Sequence, residues 1–117
     1  MLVEFERREA PGGIMVIAIS GKLMLGPESQ QLETLVDELM SQGRRKFVLD
    51  LARMTRIDST GIGRFIYCYN KISGSGGRLA LAGAEGYLRE SFAVSRLDTV
   101  LRFYPDVETA VRALGGP

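Results

Sequence analysis

Lys46-Phe47-Val48-Leu49-Asp50-Leu51, followed a few residues later by Asp58-Ser59-Thr60-Gly61-Ile62-Gly63, is the stretch on which the reading of this chain turns. The first run is apolar and strand-like, and the second opens a stretch of helical periodicity. The junction places two hydroxyls beside a carboxylate where a helix begins. A helix start presents unpaired backbone N–H groups and the positive end of the helix dipole, so a phosphate added to a hydroxyl there is held rather than repelled. The segment therefore reads as a phosphorylation switch on a small domain.

Downstream of the junction, Ile62, Phe65, Ile66, Tyr69 and Ile72 form an apolar stripe, with Arg64 and Lys71 on the wetter side, and predict a helix from Ser59 to about Ser73. Gly74-Ser75-Gly76-Gly77 breaks it, and Arg78-Leu79-Ala80-Leu81-Ala82 reads as a short buried strand ending at Gly83. Leu88, Phe92 and Leu97 support a third helix, Val100 to Tyr104 a last strand, and Val107, Ala110, Val111 and Leu114 a terminal helix begun by Pro105-Asp106. Upstream, Val3 and Phe5 alternate with Glu4 and Glu6 as in an edge strand, and Ala10-Pro11-Gly12-Gly13 makes a turn into the interior strand Ile14 to Ile19. Gly21-Lys22-Leu23-Met24-Leu25-Gly26 leads to Pro27 at a first helical position, and Leu32, Leu35, Val36, Leu39 and Met40 follow at helical spacing until Gly43. Strands and helices alternate from the first helix onward, which predicts an α/β layer on a partly parallel sheet.

The 117 residues, 45% of them hydrophobic, suffice for one compact core and not for two ordinary domains, so residues 1–117 are read as one domain. Fifteen basic and fourteen acidic residues give a net charge of +1, without the basic footprint of a nucleic-acid binder. Arg44-Arg45-Lys46 reads as a solvated turn whose cations complement the preceding helix C-terminus. The sole cysteine, Cys68, rules out an internal disulfide and is expected to be buried and inert, as suits a reducing compartment. With no histidine, Ser-His-Asp and Cys-His arrangements and His-ligated zinc are absent, and an enzyme loses its usual parts. Met1 to Glu6 lacks a basic leader and no apolar run approaches a membrane span, so a cytoplasmic protein without direct membrane insertion is expected.

Asp58 can cap the helix by accepting hydrogen bonds from N–H groups two or three residues on. Capping alone does not call for Gly61 and Gly63, each costing roughly 1 kcal/mol relative to alanine inside a helix. Two compensations are open: close approach of a partner's backbone or a phosphate, or tight packing of the helix on the sheet. Phosphate on Ser59 would add a charge of roughly −1.5 to −2 beside Asp58, with Arg53, Arg56 or Arg64 near enough in sequence to accommodate it in the free domain. Neither a Gly-x-Gly-x-x-Gly run nor a lysine-bearing phosphate loop is present.

These residues carry a resemblance. The chain resembles the STAS domains of bacterial anti-sigma factor antagonists over nearly its whole length: the strand pair with its Gly21-Lys22-Leu23 corner, the strand before the junction, Asp58-Ser59-Thr60-Gly61-Ile62-Gly63, the Gly76-Gly77-Arg78-Leu79 strand entry and the Leu88-to-Leu97 segment. The resemblance implies a STAS-like mixed sheet of four to five strands, with about four helices packed mainly on one face. It further implies that an anti-sigma factor with serine kinase activity phosphorylates Ser59, that the unphosphorylated form binds that factor and frees the sigma factor, and that a metal-dependent, PP2C-type phosphatase resets the cycle. ATP and magnesium belong to the kinase, so no cofactor is expected here. The partner surface it implies comprises Met24, Asp58, Ser59, Thr60, Gly61, Ile62, Gly63 and Arg64, on a monomer or weak dimer. The chain departs from the switching pattern at one corner: Met24 stands where an acidic residue is usual, and Lys22 where one is also common.

Three functions compete on these grounds. The first is a phosphorylation-controlled antagonist regulating sigma-factor-dependent transcription. The second, favoured by Met24, is a constitutive STAS interaction module in a signalling scaffold or transport complex. The third is an anion-binding or catalytic domain using Asp50 and Asp58, for which no nucleophile–base pair is evident.

Overall fold

The computed structural model describes residues 3–115; Met1 and Leu2, which open the expected leaderless N-terminus, and the last two positions of the 1–117 span lie outside the described residues. Five strands form one sheet in the order β1-β2-β3-β4-β5, comprising Val3–Ala10, Ile14–Leu23, Lys46–Ile57, Arg78–Ala82 and Arg102–Tyr104. β1 and β2 form an antiparallel hairpin, and every later pair is parallel. Four α-helices, α1 (Gln31–Ser41), α2 (Ser59–Gly74), α3 (Gly86–Val94) and α4 (Val107–Ala113), fill the crossovers and the C-terminus.

The sheet is buried on both faces by two apolar clusters, because parallel strands joined by helical crossovers leave little of either face to water. Met15, Ile17, Ile19, Phe47, Leu49, Leu51, Leu79 and Leu81 point to the face covered by α1, α2 and α3. Ile14, Val16, Val48, Ala80 and Ala82 point to the other, where α4 supplies Ala110 and Val111 and its C-cap residue Leu114 joins them. Three helices on one face and one on the other make the mixed α/β layer that the sequence predicts. Phe65 of α2 meets Phe92 of α3 edge-on at 5.3 Å between ring centroids, joining the two helices that flank the junction.

The helix ends follow from local chemistry. Gly43, at φ 93°, takes the left-handed conformation that terminates α1, and Arg45 donates to the Met40 carbonyl at 3.0 Å, satisfying one of the helix's last acceptors. Of the basic turn, Arg45 alone is shown doing what its position suggests, since Arg44 pairs with Glu9 of β1 at 2.9 Å and Lys46 opens β3. Asp106 caps α4 through the Thr109 N–H at 2.8 Å.

Several expectations are corrected. β2 runs past Ile19 to Leu23 through Gly21, whose φ of 92° accompanies a register shift against β3. β3 does not stop at Leu51 but continues to Ile57, with Met54 and Ile57 turned into the core. Pro27 opens a short 3-10 turn, Pro27–Gln30, rather than α1 itself. α3 ends at Val94; Arg96 adopts φ 60°, and Leu97 is buried from the 3-10 turn Leu97–Thr99, while the last strand is limited to Arg102–Tyr104. The buried stripe of α2 is Gly61, Phe65, Cys68 and Ile72, so Ile62 and Tyr69 are half-buried and Ile66 is exposed.

Candidate functional site

β3 delivers the chain to α2 by way of Asp58, whose extended backbone makes it the N-cap. Its carboxylate does two things. Oδ1 accepts from the Gly61 N–H at 2.9 Å, and Oδ2 accepts from the Leu25 N–H at 2.9 Å, fastening the corner after β2 to the start of α2. Burial is the largest single influence on this carboxyl and pushes its pKa up, but hydrogen bonds from the backbone N–H groups of Gly61, Leu25 and Thr60 together outweigh it and hold the group below its ordinary value. Asp58 is thus an anion held in place by a backbone N–H on each oxygen.

Ser59 is the first residue of α2 and is exposed; Thr60 is half-buried. The two glycines separate. A Cβ on Gly61 would run into the Leu23 carbonyl oxygen, and would stand 2.7 Å from Ile57 Cγ1, so here glycine lets the helix start lie directly on the ends of β2 and β3. Gly63 has nothing within 4 Å of where a Cβ would stand and is exposed. Of the two compensations the sequence leaves open, packing accounts for Gly61, whereas Gly63 remains free for approach by a partner.

Arg64 is not on a wet face. It donates to Ser29 Oγ at 3.2 Å and pairs with Glu33 at 3.1 Å, the two side chains only 20% and 17% exposed, and so ties α2 to α1 and the turn before it. Arg53 lines a shallow cleft with Glu6, Ser20 and Asp50 rather than the junction. The remaining arginine, Arg56, lies over the Tyr87 ring at 5.8 Å. Cys68 is buried as expected, and burial pushes its thiol up to about 12, with the Glu33 and Asp37 charges adding to the effect. Asp50 caps nothing at the junction; it accepts from the Ala52 N–H within β3.

The sequence did not reveal what α3 contributes. Ser59, Asp58, Ile57 and Ile62 form one wall of a groove of about 370 Å³, and Tyr87, Glu90, Ser91, Val94 and Ser95 of α3 and its end form the other. Tyr87 Oη donates to the Ile57 carbonyl at 2.8 Å, which fixes α3 against the end of β3. Val94 is 85% exposed, and Leu25, at the corner held by Asp58, is 78% exposed. Met24 beside it is half-buried. The structure therefore gathers Asp58, Ser59, Ile62 and the Met24–Leu25 corner around one end of the molecule, while Gly61 and Arg64 serve it from beneath. An apolar residue at the solvent end of a short helix, as Val94 is, was the one signal available.

A family model described as the STAS domain matches residues 7–110. The chain belongs to the STAS domain family. A Thermotoga maritima protein named as a candidate anti-sigma factor antagonist is 28% identical over 75 residues, 64% of this chain and 66% of that one. Among solved structures, this STAS domain is similar to a Thermotoga maritima protein described in the same terms (TM-score 0.86, 21% identity, 94% of this chain and 93% of that chain). It is also similar to the phosphorylated form of the Bacillus cell fate determinant SpoIIAA (TM-score 0.73, 20% identity, 94% and 99%) and to a sulfate transporter family protein from Wolinella succinogenes (TM-score 0.80, 20% identity, 92% and 88%). The structural likenesses establish a shared fold. Among the described residues, no helix is long and apolar enough to cross a membrane, and no group of three or more Cys, Asp or Glu is placed to hold a metal ion.

Proposed function

We propose that this STAS domain is an anti-sigma factor antagonist that binds an anti-sigma factor with serine kinase activity and is released by phosphorylation at Ser59, so that it regulates sigma-factor-dependent transcription in the cytoplasm. The observation that carries the reading is the placement of Ser59: an exposed hydroxyl at the first position of α2, beside a carboxylate already committed to two backbone N–H groups, at the lip of a largely apolar groove. The partner surface is Met24, Asp58, Ser59, Thr60, Ile62 and Gly63, with Gly61 and Arg64 holding the helix start in place.

The chemistry is differential. In the free domain a phosphate on Ser59 stays hydrated and lies at the favourable end of the helix dipole. Within an interface the same dianion is stripped of water next to Asp58, which its hydrogen bonds keep ionised. Phosphorylation thus alters the binding equilibrium while leaving the fold in place. ATP and magnesium are the kinase's, this chain acts without a cofactor as a monomer or weak dimer, and a PP2C-type phosphatase restores the binding form.

Titration of the source organism's anti-sigma kinases with wild-type protein and Ser59→Asp tests this. The expected loss of affinity is about tenfold or more. Mass spectrometry of protein from the native organism should find a single phosphate, at Ser59. Equal affinity of both forms, with Ser59 unmodified, supports instead a constitutive module in a scaffold or transport complex. Met24, an apolar residue at the corner facing the junction, is the observation that favours this second reading.

A further inference from the structure

Lys22 and Arg56 stand opposite one another in the β2–β3 register, one residue before Leu23 and Ile57 enter the core. Paired strands lie about 4.8 Å apart, so the two cations are held side by side, and like charges opposed across a sheet destabilise it. Both side chains are exposed. Neither has an ion-pair partner among the described residues, although Arg7, Arg44, Arg64, Lys71 and Arg112 each have one. The pair also adjoins the groove: Arg56 lies over Tyr87, and Tyr87 forms the α3 wall opposite Ser59. The two cations thus stand beside the groove and not in it, since its own charged lining residues are Asp58 and Glu90.

We infer that Lys22 and Arg56 form a charge-reading subsite for the partner, taking carboxylates from an acidic segment whose neighbouring apolar side chain enters the groove between Ile62, Tyr87 and Val94. The inference rests on the proposed antagonist function and names the chemistry of that partner. Asp58 and Glu90 set the segment's position. Both line the groove, so carboxylates are repelled from the groove itself and taken at the Lys22–Arg56 pair beside it, while the apolar side chain fills the groove. The same arrangement sharpens the switch, because a dianion on Ser59 repels the incoming carboxylates as well as suffering desolvation.

The experiment titrates each purified anti-sigma kinase of the source organism against the full chain as wild type, as Lys22→Glu/Arg56→Glu and as Ser59→Asp, at about 50 and about 500 mM salt. The charge reversal is expected to lower affinity at least about tenfold at low salt, mainly by slowing association, with the gap narrowing to about twofold at high salt. The neutral pair Lys22→Gln/Arg56→Gln should fall between, and carries the test if the reversed protein fails to melt like the wild type. A kinase that discriminates Ser59→Asp but binds the charge-reversed protein as tightly as the wild type overturns the inference and leaves the antagonist function standing. Binding of no kinase overturns both. Binding of the wild type, and not of the reversed protein, to phosphatidylglycerol-containing vesicles or to single-stranded DNA would assign the cations to another polyanion and also overturn it.

Discussion

Gly61 and Gly63 lie two residues apart in the same helical turn, yet the structure requires opposite responses to alanine. At Gly63 the new methyl meets nothing within 4 Å, so the substitution recovers the helix propensity that glycine forgoes, about 1 kcal/mol. At Gly61 the same gain is set against a methyl driven into the Leu23 carbonyl oxygen and close to Ile57. Overpacking costs about 1–3 kcal/mol, and a backbone obstacle held by the sheet puts this site at the upper end; subtracting the propensity gain leaves a net loss of about 2 kcal/mol. For a domain of this size, with about 4 °C per kcal/mol, Gly61→Ala should melt about 8 °C below the wild type and Gly63→Ala about 4 °C above it. Calorimetry and urea titration of the two variants side by side check the signs. Gly61→Ala as stable as the wild type would refute the claim that α2 is seated on the β2 corner. The pair also separates packing from recognition: Gly63→Ala should bind the partner more weakly although it is the more stable protein, because its methyl projects into the open surface beside Ser59.

Asp58 should make the protein less stable in acid: its folded pKa is depressed, so its contribution is fully present above the unfolded value, near 4, and is lost as the pH falls through the folded one. The sign is checked by urea titrations from pH 6 to pH 3, in which Asp58→Asn should show a shallower decline; Asp58→Ala should lose about 1–2 kcal/mol at neutral pH through the missing cap and the freed Leu25 corner. Arg64→Ala breaks a partly buried ion pair and the hydrogen bond to Ser29, intermediate between surface and buried cases, and should cost about 1–2 kcal/mol in denaturant titration of the purified domain. Cys68, buried with its thiol pushed up to about 12, should resist a thiol-specific reagent at pH 8 in the native protein and react at once in denaturant.

Where the sequence fell short, the cause was pairing information that no single segment carries. Phe47 to Leu51 reads as a strand because its apolar run is continuous, but the extension to Ile57 buries Leu51, Met54 and Ile57 at intervals of three, a spacing that resembles neither a flat strand nor a long helix. That spacing arises from two register shifts, between Ala18 and Ser20 and between Gly21 and Lys22, each of which puts one extra residue into β3 opposite β2. Likewise, α2 was legible in extent and in part of its stripe: Phe65 and Ile72 are buried, and Ile62 and Tyr69 pack half-buried against the core. A stripe drawn through large apolar residues also takes in Ile66, whereas the helix is seated by its smallest buried residue, Gly61, which turns Cys68 inward and leaves Ile66 to solvent. Arg64 follows from the same seating, since a helix turned this way presents Arg64 to α1 and the turn before it, where Glu33 and Ser29 lie.

The candidate site was legible in its chemistry and not in its company. Asp58 as a cap and Ser59 as an exposed helix-start hydroxyl follow from residue type and order alone. That Asp58 also holds the Leu25 N–H does not, because it depends on β2 running to Leu23 and ending beside β3. This second bond is what makes the site a single unit. The corner at Met24 and Leu25, the Ser59 hydroxyl and the α3 groove are all referred to one carboxylate, so under the proposed function a partner that engages the corner also meets the charge on Ser59. A switch built this way needs no conformational change within the domain. Its prediction is that phosphorylated and unphosphorylated forms share one backbone, observable as amide chemical-shift changes confined to the corner, the first two turns of α2 and the facing end of α3. Shifts spreading through β4, β5 and α4 would instead require a rearrangement of the sheet and would undo the argument that charge alone releases the partner.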